Sequence, residues 1–137
     1  MNTKTTLFLP ADLTTPMRSL EVPHTGNGFN LHAMYREIGC DLVETVHCYD
    51  PEFQTCLLWC DEEARLKGDP QPNVRASILA GQPIFGNVIL SCYHETWDRS
   101  WDASNPLPFV PCDLDALAVS LWENPQFQAQ FMDELYS

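Results

Sequence analysis

The sequence predicts a single small α+β domain spanning residues 1–137, built on a mixed or antiparallel sheet of about five strands. Three observations predict it. The chain is 137 residues long and 45% hydrophobic, which suffices to bury one core without staples. Short apolar runs such as Leu7–Leu9 and Val88–Leu90 are set between Pro, Gly, Asp and Asn residues. Other apolar residues recur at helical spacing, most clearly near residues 31–38 and 114–135.

The elements follow in order. Thr5 to Ala11 and Met17 to Pro23 read as two strands joined by DLTTP, the second alternating so that Leu20 and Val22 point inward. HTGNG at 24–28 is a loop, since both glycines tolerate positive φ. Asn30 caps a helix running to Ile38, with Leu31, Met34, Tyr35 and Ile38 on one stripe, and Gly39 ends it. Leu42 to Tyr49 is a strand, Asp50-Pro51 turns the chain, and Gln54 to Cys60 returns beside it. Asp61 to Ala64 forms a turn. Asn73 caps a short helix in which Val74 and Ile78 share a face and which Gly81 closes. Phe85 to Tyr93 is the last strand. Residues 95–111, with three prolines and two tryptophans, form an ordered excursion anchored by those tryptophans. Asp113 caps a helix burying Leu114, Leu117, Ala118 and Leu121. Asn124-Pro125 then starts a second helix carrying Phe127, Phe131 and Leu135 at four-residue intervals.

Composition narrows the function. A net charge of −12 argues against direct nucleic-acid binding, because phosphate neutralisation needs clustered cations. Residues 112–137 hold five acids and no Lys or Arg; such acidity usually serves only solubility, and less often suits a basic partner or imitates DNA. No apolar run is long enough to span a membrane, and MNTKTTLFLP is too weakly apolar for a secretory signal. The expected location is the cytosol of a host cell, where six cysteines are free thiols rather than a disulfide framework.

The pieces LFLPAD, MRSLEVP, MYREIGCDLVETV, DEEARLKGDPQPN, RAS and GNVIL resemble a family catalogued as a domain of unknown function, common in bacteriophages, plasmids and related mobile elements. The resemblance covers residues 5–92 and is most specific from Asp61 through Ser77. The family has Gly-Gly where this chain reads Gly39-Cys40, and Gly where it reads Ala64, departures that bear on turn geometry. The resemblance implies a small α+β fold and a viral or mobile-element origin. It assigns no catalytic residues, and residues 93–137 form an extension beyond it.

Candidate sites are few. Cys56 and Cys60 lie about 13 Å apart on an extended strand, too far to share a zinc ion that binds its ligands at about 2.0–2.3 Å. Buried thiols are therefore favoured over a metal, and no cofactor is expected. His94-Glu95 near Asp98 could form an acid–base pair, though a solvated loop is favoured. No nucleophile elbow or phosphate loop occurs, so no catalytic residue is assigned.

A positive knot remains. Arg65, Lys67 and Arg75, with Asn73 at the helix start, could together hold a phosphate or carboxylate. Pairing of Arg65 and Arg75 with Asp61, Glu62, Glu63 or Asp69, stapling the turn, is the competing and favoured reading, since nearby carboxylates outnumber the cations. Phe127, Phe131 and Leu135 would form a partner-docking stripe if the core left them uncovered, although packing on the sheet is favoured.

The leading expectation is a small non-catalytic binding protein of a phage or mobile element that neutralises a host molecule, either a defence protein or a nucleotide signal. The alternatives are an acidic DNA-mimic inhibitor of a host nucleic-acid-binding protein, and a small hydrolase acting on a nucleotide through His94 or His47. The expected partner is a host protein or small anionic ligand, with a homo-oligomer as a further option.

Overall fold

A computed structural model describes residues 2–25, 28–48, 56–68, 70–92 and 114–136. Its framework is one six-stranded sheet in which every neighbouring pair runs antiparallel. The strands are β1 (Asn2–Leu9), β2 (Arg18–Thr25), β3 (Gly28–Phe29), β4 (Val43–His47), β5 (Cys56–Asp61) and β6 (Val88–Cys92). Helix α1 (Leu31–Ile38) follows β3, α2 (Val74–Ala80) lies between β5 and β6, and α3 (Leu114–Trp122) and α4 (Pro125–Tyr136) come last. The α+β class and the two C-terminal helices are as expected, and the sheet is the antiparallel variant with a two-residue strand, β3, added.

Across the sheet the order is β3-β2-β1-β6-β5-β4. Two hairpins, β1–β2 and β4–β5, are thus joined by β6, which pairs Leu90 with Leu7 on one side and with Leu58 on the other. The central strands are apolar on consecutive residues because both faces are covered. Leu7, Leu9, Leu58, Cys60, Val88 and Leu90 pack on one face with Ala76 and Ala80 of α2. Phe8, Val22 and Ile89 pack on the other with Ala33, Met34 and Ile38 of α1. Period-two alternation along each strand sends neighbouring side chains to opposite layers.

Local chemistry sets the helix ends. Asn30 accepts a hydrogen bond from the Ala33 backbone N–H, and Asn73 accepts one from Ala76. Gly39 and Gly81 close α1 and α2 at φ of 84° and 71°, the left-handed region open to glycine. Asn124 caps α4 through bonds from the Gln126 and Phe127 N–H groups, with Pro125 at the first helical position.

Some expectations are corrected. The buried face of α1 is Ala33, Met34 and Ile38, while Leu31 is 43% exposed. In α3 only Leu114 and Ala118 are buried, and Leu117 stays at the surface. Phe85 lies before β6, not in it, bridging Pro72. That bridge, with hydrogen bonds from Asn73 N to Ile84 O and from Gly86 N to Gln71 O, closes the base of the α2 excursion. Residues 95–111 and Asp113 lie outside the described residues.

Candidate functional site

The positive knot separates into two structures with different jobs. Arg75 is only 1% exposed, on the first turn of α2. Its Nε donates to Asp115 Oδ1 at 2.6 Å, Nη1 to the carbonyls of Pro10 and Asp12, and Nη2 to those of Leu13 and Thr15. A guanidinium has five N–H donors, and all five are used. Arg75 is therefore a clamp that fastens the β1–β2 connection and the start of α3 to α2. The expectation that it contacts an anion alongside Arg65 and Lys67 is corrected: no donor remains. Its carboxylate partner is Asp115, outside the set of Asp61, Glu62, Glu63 and Asp69.

Asn73 is likewise fully buried and fully engaged. Its Oδ1 caps α2, and its Nδ2 donates to Leu9 O at 2.9 Å and Gly86 O at 2.8 Å. Buried polar groups must find partners, and these satisfy it completely. It holds the fold together at the junction of β1, α2 and the turn before β6, and offers no group to a ligand.

Arg65 and Lys67 belong to the surface turn after β5. Asp61, the last residue of that strand, is buried and accepts from the Glu63 N–H at 2.9 Å and from Lys67 Nζ at 2.5 Å. Lys67 Nζ also reaches the Gly39 carbonyl at 3.0 Å, tying the turn to the end of α1. The hydrogen bond to Asp61 raises the Lys67 pKa above its ordinary value. A short 3-10 helix, Ala64–Leu66, follows, and the Arg65 guanidinium lies 5.5 Å from the centroid of the Phe85 ring.

Two clefts flank this turn, and Asp61 and Ala64 line both. One, of about 200 Å³, has Arg65, Glu44, Glu62 and Gln82 on its rim. The other, of about 240 Å³, carries Lys67, Asp12, Gln71 and Asn87. Arg65 and Lys67 thus address separate clefts rather than one ligand atom, and each faces carboxylates. Lys67 does pair with a local acid, Asp61, although the sequence pattern assigns that role to Arg65 and Arg75.

The aromatic stripe of α4 turns partly inward. Phe131 is buried against Phe85 and Ala64, with ring centroids of Phe131 and Phe85 5.0 Å apart, and Trp122 and Phe127 pack beside it. Phe131 is thereby corrected from docking residue to core residue. Phe127 stays half-buried and, with Pro83, Gln130, Phe131 and Asp133, lines a groove of about 440 Å³. Leu135 is carried by the same helix; its side chain lies outside the described residues.

Two thiols, Cys40 and Cys60, are held toward their protonated form. Burial, reinforced by Glu44 and Asp61, pushes Cys60 up to about 12, and burial also raises Cys40. Cys92, isolated in sequence, lies in register with Cys56 on the neighbouring strand. Among the described residues no group of three or more His, Cys, Asp or Glu side chains is placed to hold a metal ion, and no helix is long and apolar enough to cross a membrane. His47 is exposed at the sheet edge, and His94, Glu95 and Asp98 lie outside the described residues.

The fold and site define a small α+β domain with an antiparallel sheet clothed on both faces and a hydrogen-bonded surface turn. The chain belongs to the family described as domain of unknown function (DUF3846), whose profile matches residues 5–102. No curated protein matches it in sequence. Among solved structures it is similar to the crystal structure of small RNA methyltransferase HEN1, with a TM-score of 0.55 and 17% identity over 66% of this chain. The match spans 13% of that protein, and at this identity the likeness concerns the fold alone.

Proposed function

We propose that the protein is a small non-catalytic binding module of a phage or mobile element, which captures and neutralises a molecule of the host cell. The observation that carries this reading is the bonding of the site itself. Arg75, Asn73, Asp61 and Lys67 act as structural fasteners, which leaves the clefted surface around the 61–67 turn suited to contact rather than proton transfer. With Arg75 and Asn73 engaged internally, a host protein is favoured over a nucleotide signal as the captured molecule. The test is native mass spectrometry of the protein isolated from its host, as wild type and as an Arg65→Ala/Lys67→Ala variant. The wild type is expected to carry an unmodified macromolecule that the variant loses. Equal retention by both would remove the turn from the contact surface, and a chemically altered ligand would overturn the non-catalytic reading.

A second reading is supported by Glu123, in the turn after α3, and Asp133 on α4, both exposed in a segment without Lys or Arg. That segment would imitate DNA before a basic nucleic-acid-binding protein. Such a complex weakens steeply as salt rises, whereas one held by apolar burial does not.

A further inference from the structure

We infer that Cys48, Cys56 and Cys92 form a thiol–disulfide site, in which Cys56 bonds to either neighbour on reaction with a small disulfide of the glutathione class. The three lie in one row across an end of the sheet. Cys56 opens β5 and pairs with Cys92, the last residue of β6. On its other side β5 pairs with β4 as far as Leu57 opposite His47, so the next step sets Cys48 across from Cys56. Period two agrees: Cys48 and Cys56 are buried in one cluster with Leu58 and Leu90, and Val46 packs against it. Half of the chain's six cysteines thus fall in a single row. Cys60, by contrast, stands opposite Glu44, and Cys40 packs on the other face of the sheet.

Antiparallel geometry brings both pairs of Cys56 within bonding range. β5 is an inner strand, and a residue there turns its N–H and C=O toward the same neighbour. It therefore makes one hydrogen-bonded and one non-hydrogen-bonded pair, with Cα atoms about 5.5 and about 4.5 Å apart. A disulfide spans Cα separations of about 4.4–6.8 Å. One metal ion does not suit the row, because its outer members sit two strand spacings apart, about 10 Å, whereas a thiolate binds zinc at about 2.3 Å. The exchange needs no further reagent. A cysteine thiolate attacks the small disulfide, leaving a mixed disulfide and releasing one small thiol; the neighbouring cysteine then displaces the second. The two cysteine protons leave on the two small thiols, and the third cysteine of the row stays a thiol able to exchange with the new bond. Cys48 and Cys56 are buried, which slows attack, but strand ends open at less cost than the middle of a sheet. The inference does not depend on which host molecule is captured.

The test equilibrates the full chain with mixtures of oxidised and reduced glutathione, quenches in acid, alkylates the remaining thiols and maps linked peptides by mass spectrometry. Wild type is expected to form one disulfide per chain, from Cys56 to Cys48 or Cys92, with Cys40 and Cys60 recovered as thiols. Cys48→Ser is expected to keep the Cys56–Cys92 link and Cys92→Ser the Cys48–Cys56 link, while Cys56→Ser loses both. Circular dichroism checks that each variant folds. In urea, where strand register is lost, links are expected to scatter over all six cysteines. A folded wild type without a link at any glutathione ratio overturns the inference. So does a native pattern as scattered as that in urea. A link that fails in either flanking variant overturns the shared role of Cys56, as does a Cys48–Cys92 link in Cys56→Ser.

Discussion

Asn73 acts in three directions at once, capping α2 through Oδ1 and holding the Leu9 and Gly86 carbonyls through Nδ2. Asn73→Ala removes a cap worth about 1 kcal/mol and strands two acceptors at about 1–3 kcal/mol more. Asn73→Asp keeps the cap acceptor but turns a carboxylate oxygen toward those carbonyls, so its denaturant midpoint is expected to fall as far as that of Asn73→Ala. A near-native midpoint for Asn73→Asp would show that only the cap matters. Cys60 supplies a pH dependence. Its thiol pKa rises from 9.0 to about 12 in the fold, so its stabilisation is whole below pH 9.0 and fades as pH climbs toward about 12. Urea midpoints on either side of that window should show the fall, and Cys60→Val should flatten it. An undiminished fall in Cys60→Val would assign it to another group.

At the scale of elements, α1 shows how a helix chooses its buried face. Met34 is fully buried against the sheet layer of Phe8 and Ile89, while Leu31 is solvated. Met34→Ala is expected to cost about 2–5 kcal/mol, and Leu31→Ala no more than about 0.5 kcal/mol, measured by thermal melting. The opposite order would place the contact on the stripe that includes Leu31. The ends of α1 and α2 were readable in the sequence because Asn30, Gly39, Asn73 and Gly81 act on backbone within a few residues. The rotation of α1 was not readable, since Leu31 and Ala33 both fit a helical period and the sheet beneath selects between them. For α4, sequence period put Phe127, Phe131 and Leu135 on one stripe but could not say that Phe131 is covered while Phe127 stays half-buried, because the neighbours of Phe131, Phe85 and Ala64, come from distant parts of the chain.

For the molecule as a whole, Arg75 joins parts of the chain that sequence keeps far apart. It binds residues 10–15 and, forty positions onward, Asp115. No local pattern marks such a contact, and for that reason the cation next to a helix start resembled an anion site. The DLTTP segment did carry a usable signal, because Asp12 folds it by accepting from the Thr14 N–H and Oγ. Arg75→Met leaves four carbonyls and a carboxylate without their donor and is expected to cost about 3–5 kcal/mol. Asp115→Asn, at a half-exposed position, is expected to cost about 1 kcal/mol. Melting curves of the two variants check the ranking, and equal losses would mean that the ion pair dominates over the loop carbonyls.

The position of β6 in the middle of the sheet has a consequence for how the protein is made. Residues 88–92 must slot between β1 and β5, strands that leave the ribosome much earlier. Until then each nascent hairpin exposes one bare edge, the kind of surface that recruits stray strands. Biogenesis should therefore be most vulnerable in the interval before that last strand emerges, when a chaperone or slow translation would matter most.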